Sequence, residues 1–213
     1  IKEVSPHAFI LTSKVREHAM GKTIVILQGH PDNTAAHLCH SLAQHYLMGA
    51  EAAGHTVTCI DIAALDFPLL TSKSSWDSDS TPASLMDAQA AILKAEHLVI
   101  IYPLWLGGMP ARLKGFFEQV LRPDLTGKGN DPLAWRKLLR GCSARVVVTM
   151  GMPALAYRLF YRAHSLKSLC RNILAFTGIS PVRTTTFGMV EAASPERRAG
   201  WLRKMETLGR TAR

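Results

Sequence analysis

Long apolar runs recur along the chain, and between them apolar positions return every three or four residues. TIVILQGH (23–30) is rich in β-branched residues and ends in a glycine and a histidine. Such a run predicts a strand buried on both faces. From Asn33 to Ala53 the apolar residues, among them Ala36, Leu42, Tyr46 and Ala50, fall on one helical stripe that Gly54 ends. HTVTCIDIA (55–63) predicts a second strand, SLMDAQAAILKAE (84–96) a helix, and HLVIIYP (97–103) a third buried strand. Pro110 opens a helix that runs to Leu121, its missing N–H costing nothing in a first turn. ARVVVTMG (144–151) is a fourth strand, 154–176 is helical with an irregular start, and VRTTTFGMV (182–190) is a fifth strand. Ser194, followed by Pro195 and Glu196, caps a closing helix that runs to 210. DFPLLTSKSSWDSDSTP (66–82) is polar and unpatterned, a loop of a length that in compact domains is often functional.

Five strands alternating with helices define an α/β fold, a doubly wound sandwich around a five-stranded parallel sheet. The 213 residues suit one core, so 20–213 is expected to be a single domain. Residues 1–19, ahead of Met20 and the first strand, are expected to be an extension or arm. No stretch of about 18 apolar residues occurs, so no membrane insertion is expected. Polar and charged residues break up the first 22 positions, leaving no signal-peptide core. Cys39, Cys59, Cys142 and Cys170 are far apart, without metal-type spacing, and read as free buried thiols of a cytoplasmic protein. The formal charge of +9 could attract nucleic acid, but its lysines and arginines form no block with interleaved aromatics. An anionic cofactor accounts for it equally well, and no nucleic-acid partner is expected.

In such sheets ligands bind beyond the carboxyl ends of the strands, and three of those ends carry unusual residues. QGHPDNTAA (28–36) leads into a helix start, where free N–H groups favour phosphate and where His30 and Thr34 add donors. Asp32 or Asn33 there equally fits a plain helix cap. PLWLGGMP (103–110) places Trp105 beside Gly107 and Gly108. The tryptophan could cap the core, or the turn could hold a flat heterocycle, since glycines let a ring approach the backbone. TMGMPALAYRLFYRAH (149–164) offers Thr149 and Gly151, then Tyr157 and His164. That pair is able to hold charge on a reducible carbonyl, or is simply the surface of a helix. No dinucleotide fingerprint, Walker loop, nucleophile elbow or zinc motif is present.

GHPDNTAAHLCHSL, PLWLGGMPARLKGFFEQVL and TMGMPALAYRLFYRAHSLKSL together resemble the flavin-site segments of the NAD(P)H:quinone oxidoreductase family, of flavodoxin-like fold. The resemblance extends from about Thr23 to Val190. It implies a flavin, FMN or FAD, that takes hydride from NAD(P)H and passes two electrons to a quinone-like acceptor. It implies that His30, Thr34 and His37 hold the phosphate tail, with Ala36 on the adenine side where the family often has Phe. It sets Pro103, Leu104, Trp105, Leu106 and Gly107 along the flavin ring and Thr149, Met150 and Gly151 at its pyrimidine side. Tyr157 and His164 are similar to the pair that stabilises the reduced ring, one residue further apart than in the family. A homodimer is implied too, because the family's sites lie between subunits. Asp124 to Gly127 replace aromatics with which the family lines its partner's pocket. That departure leaves a second expectation open, a flavin-binding ancillary subunit of a transport system with little turnover.

Overall fold

The computed structural model describes residues 21–77, 81–122 and 131–213. The expected extension at 1–19 and the segment 124–127 lie outside them. Strands β1 (Thr23–Gln28), β2 (Thr56–Asp61), β3 (His97–Pro103), β4 (Ser143–Met150) and β5 (Val182–Gly188) form one parallel sheet in the order β2-β1-β3-β4-β5. This is the doubly wound, flavodoxin-like architecture expected. All seven residues of β3 are buried, which is why its sequence is continuous rather than alternating.

Helices α1 (Leu38–Ala52) and, at the end of the chain, α8 (Pro195–Arg210) cover one face of the sheet. They bury Ile24, Ile26, Val99, Ile101, Val147 and Phe187. Gly49 and Gly209 let the two cross closely, for a Cβ on either would stand about 2 Å from a main-chain oxygen of the other helix. The opposite face carries α3 (Met86–Lys94), α4 (Ala111–Val120), α5 (Pro132–Leu138), α6 (Ala154–Leu159) and α7 (His164–Ser168), which runs into a π-helical stretch, Leu169–Ala175. A short α2 (Lys73–Asp77) lies within the stretch expected to be wholly loop. Leu104 leaves β3 donating to the Thr149 carbonyl oxygen at 2.7 Å, so the ends of β3 and β4 are fixed to each other.

Two expectations are corrected. The first helix begins at Leu38, with His37 as its cap, rather than at Asn33. Asp32 does not cap it: its carboxylate accepts the Thr34 N–H at 2.8 Å and the Thr34 hydroxyl at 2.6 Å, closing a turn that competes with helix. All four cysteines are free, yet only Cys39 and Cys142 are buried, while Cys59, on the edge strand β2, is exposed.

Candidate active site at the carboxyl edge of the sheet

Chain reversal after β1 places three histidines together. His30 stacks on His37 with ring centroids 3.8 Å apart, and His40 lies 5.7 Å from each. His30 Nδ1 is within hydrogen-bond distance of both main-chain groups of Asp32, N at 3.2 Å and O at 3.0 Å. The Asp32 carboxylate also meets His37 Nε2 at 2.7 Å. Hydrogen bonds from the Thr34 hydroxyl, His37 and the Thr34 N–H hold that carboxyl well below the usual range. Burial pushes the His30 imidazole down, helped by its two histidine neighbours and opposed by the Asp32 carbonyl and carboxylate.

The loop after β3 is a two-residue hairpin. Trp105 and Gly108 form an isolated antiparallel bridge, and Leu106 and Gly107 between them take φ of 44° and 75°. Two positive φ values match a primed hairpin turn, which glycine accepts freely and leucine does not. Trp105 is half exposed and turns its edge to His30, centroids 5.8 Å apart at 79°. It is therefore not a core cap, the alternative its position left open.

The loop after β4 completes the edge. Thr149 and Met150 are buried, and Thr149 Oγ1 lies 3.4 Å from Cys39 Sγ in α1. Gly151 is exposed, and a Cβ there would stand 3.0 Å from the Glu191 carboxylate. Tyr157 is buried, its hydroxyl 2.8 Å from Ser165 Oγ and accepting the Leu166 N–H at 3.3 Å. His164 is exposed at the start of α7, after two left-handed residues, Arg162 and Ala163. Tyr157 thus reaches the turn that begins with His164. Thr34 and Ala36 are exposed on the loop before α1.

Two contributors, His40 and Gln28, were not singled out in the sequence, and Asp32 only as a helix cap. His40 continues the histidine spacing into α1, and the Pro-Asp-Asn-Thr run is a turn signal for Asp32. Gln28 gave no signal. Its Oε1 accepts the His30 N–H at 2.6 Å, while its buried Nε2 has no hydrogen-bond partner. A cavity of about 170 Å³ bordered by Gln28, His40, Cys59 and Asp61 adjoins the histidines. A second cavity, about 290 Å³ and walled by Trp76, Phe117, Leu121, Trp135, Ile173 and Phe176, shares no residue with the three loops. Among the described residues no cluster could hold a metal ion.

The parallel 2-1-3-4-5 strand order is that of the flavodoxin-like class of doubly wound folds. The sequence profile of the flavodoxin-like fold family matches residues 22–208, and the chain belongs to that family. It is similar to an uncharacterized NAD(P)H oxidoreductase of Haemophilus influenzae, 25% identical over 168 residues that cover 77% of this chain and 82% of that protein. Over 93 residues, 43% of this chain and 45% of the other, it is 31% identical to the FMN-dependent NADH:quinone oxidoreductase 1 of Colwellia psychrerythraea. The crystal structure of Smu.1420 from Streptococcus mutans superposes with a TM-score of 0.73 at 27% identity, covering 88% of this chain and 98% of that one.

Proposed function

We propose that the protein is an FMN-dependent NAD(P)H dehydrogenase that reduces a quinone-like acceptor. The carrying observation is the contact of His30 with both His37 and Trp105, which joins an anion-binding cluster to a ring platform. The donor set would suit a flavin monophosphate: His30, His37, His40 and Thr34 would hold its phosphate, and Gln28 Nε2 is a buried amide without a hydrogen-bond partner. The flavin, when bound, supplies the two-electron chemistry between nicotinamide and acceptor.

The chain's own groups bind and orient. Leu104 to Gly107 would hold the ring, and Thr149, Met150 and Gly151 would border its polar side. His164 would hold or move a proton there, and Tyr157, hydrogen-bonded to Ser165 and Leu166, would be the positioning residue that aims it. Donor and acceptor use the one edge in turn, which predicts ping-pong kinetics. The protein works as a cytoplasmic homodimer, as the resemblance to the quinone oxidoreductase family implies.

The test is chromatography of the cofactor released from purified protein, followed by steady-state assays with NADH, NADPH and a soluble quinone. FMN with parallel double-reciprocal plots is expected. Protein that carries no flavin and takes up neither FMN nor FAD would overturn the proposal.

A further inference from the structure

Beside Tyr157 and His164, α6 and the turn that follows it carry exposed apolar side chains for which the proposed function has no use. Between Asp131 and Glu191 the chain has nine lysines and arginines and not one aspartate or glutamate. Within that stretch, four large apolar side chains in seven positions stand in solvent: Leu155 is 67% exposed, Leu159 70%, Phe160 81% and Tyr161 53%. Leu155 and Leu159 share one face of α6, and the Phe160 and Tyr161 rings meet edge to face at 5.1 Å. Arg158, Arg162, Lys167 and Arg171, all exposed, lie among and after them in the sequence. Among the described residues no carboxylate lies within ion-pair distance of these four.

The protrusion is held in place. Phe160 N–H donates to the Ala156 carbonyl oxygen at 2.9 Å, and Ala163 N–H to that of Tyr157 at 3.0 Å. The buried Tyr157 hydroxyl grips the first turn of α7 from below. Arg162 and Ala163 keep φ of 50° and 49° in the bend, a cost that ordinary L-residues bear only where the surroundings fix it. Apolar side chains that could have folded inward are thus displayed.

We propose that Leu155, Leu159, Phe160 and Tyr161, with Arg158, Arg162, Lys167 and Arg171, form a docking surface for an anionic membrane leaflet. Leucine and aromatic side chains enter the headgroup boundary while the flanking cations meet lipid phosphates, the pair of signals that stable peripheral binding needs. Charge complementarity selects this partner. Isologous pairing of two such patches would bring arginines against arginines with no carboxylate in the segment to separate them. Exposed leucines add nothing to a nucleic-acid groove, where flat rings do the stacking. No helix of the described residues is long and apolar enough to cross a membrane; the proposed contact is with the leaflet surface. Because α6 follows directly from the β4 loop, docking turns the carboxyl edge toward the lipid phase in which long-chain quinones dissolve. That consequence rests on the function proposed above; the docking itself does not.

The experiment is co-sedimentation of the full chain with vesicles of phosphatidylglycerol and phosphatidylcholine in equal parts, beside vesicles of phosphatidylcholine alone. Binding to the anionic vesicles is expected, falling as salt rises. Leu159→Ser with Phe160→Ser should abolish it, and Arg158→Gln or Arg162→Gln should each weaken it about five-fold. Turnover of NADH with a soluble quinone stays unchanged in these variants, so loss of docking and loss of flavin chemistry are read separately. If the serine pair fails to fold, the two arginine variants carry the test. Absence of binding to anionic vesicles, binding indifferent to all variants, or variants that only split a solution oligomer would overturn the proposal. The last result would make the patch a contact between copies.

Discussion

Trp105 and Gly108 exchange both main-chain hydrogen bonds, at 2.9 and 2.8 Å, and so force the two residues between them into left-handed backbone. Gly107 accepts this. Leu106, fully exposed and making no use of its apolar surface in the fold, does not. Asparagine at that place would suit the turn, relieving part of a penalty of about 1 kcal/mol or more. Leu106→Asn should therefore raise Tm by a few degrees, since about 1 kcal/mol moves a domain of this size by roughly 2–4 °C. Flavin or acceptor affinity, measured by fluorescence titration, should fall, because the leucine's exposed surface is what a bound ring would cover. A lower Tm would show that the leucine is not strained.

Asp32 sits among the donors that a phosphate would use. Its carboxylate accepts from Thr34 twice and meets His37. Asp32→Asn keeps an oxygen for the Thr34 N–H, and with it the turn, but removes the negative charge. Flavin mononucleotide should bind the variant several-fold more tightly at low salt, with the advantage shrinking as salt screens the site. Weaker binding, in an equilibrium titration, would mean that the carboxylate orders the loop more than it repels the ligand.

The strands and the fold class were legible in the sequence because each rests on local apolar runs and on Pro and Gly punctuation. The start of α1 was not. Asn33 to His37 carry a helical apolar pattern, yet the Asp32 side chain offers the backbone a competing turn. The histidine stack was half legible: His30 and His37 were expected at one ligand, but their contact with each other and with Trp105 depends on how two loops far apart in sequence return to one edge. Gln28 was invisible, since nothing in a strand-ending glutamine distinguishes an orphaned amide from a solvated one. The display of Leu155 to Tyr161 was equally hidden, because a helical apolar pattern reads as core until the structure shows which side is covered.

Tyr157 ties α6 to the first turn of α7 through Ser165 and Leu166. Tyr157→Phe removes one acceptor and one donor from the start of α7, at a cost of about 1–2 kcal/mol, visible as a lower denaturation midpoint. If the tyrosine acts by aiming His164, then Tyr157→Phe and His164→Gln will not multiply in kcat when combined. Fully multiplicative losses would give the two side chains independent roles.

His97, at the buried start of β3, sets the protein's tolerance of acid. Its Nδ1 lies 2.7 Å from Ser143 Oγ, its Nε2 is buried without a hydrogen-bond partner, and its ring stacks on Tyr46. Burial, then the nearby charges of Lys22 and Arg145, push the imidazole down to about 4. The unfolded chain takes up this proton near the ordinary value of 6.5, while the folded protein refuses it until about 4. Stability is therefore fully present above pH 6.5 and is lost as pH falls toward 4, by on the order of 3 kcal/mol from this group. Urea melts across that interval should show the decline, and His97→Gln should flatten it while lowering stability at neutral pH. An unchanged slope in the variant would assign the acid sensitivity to other groups.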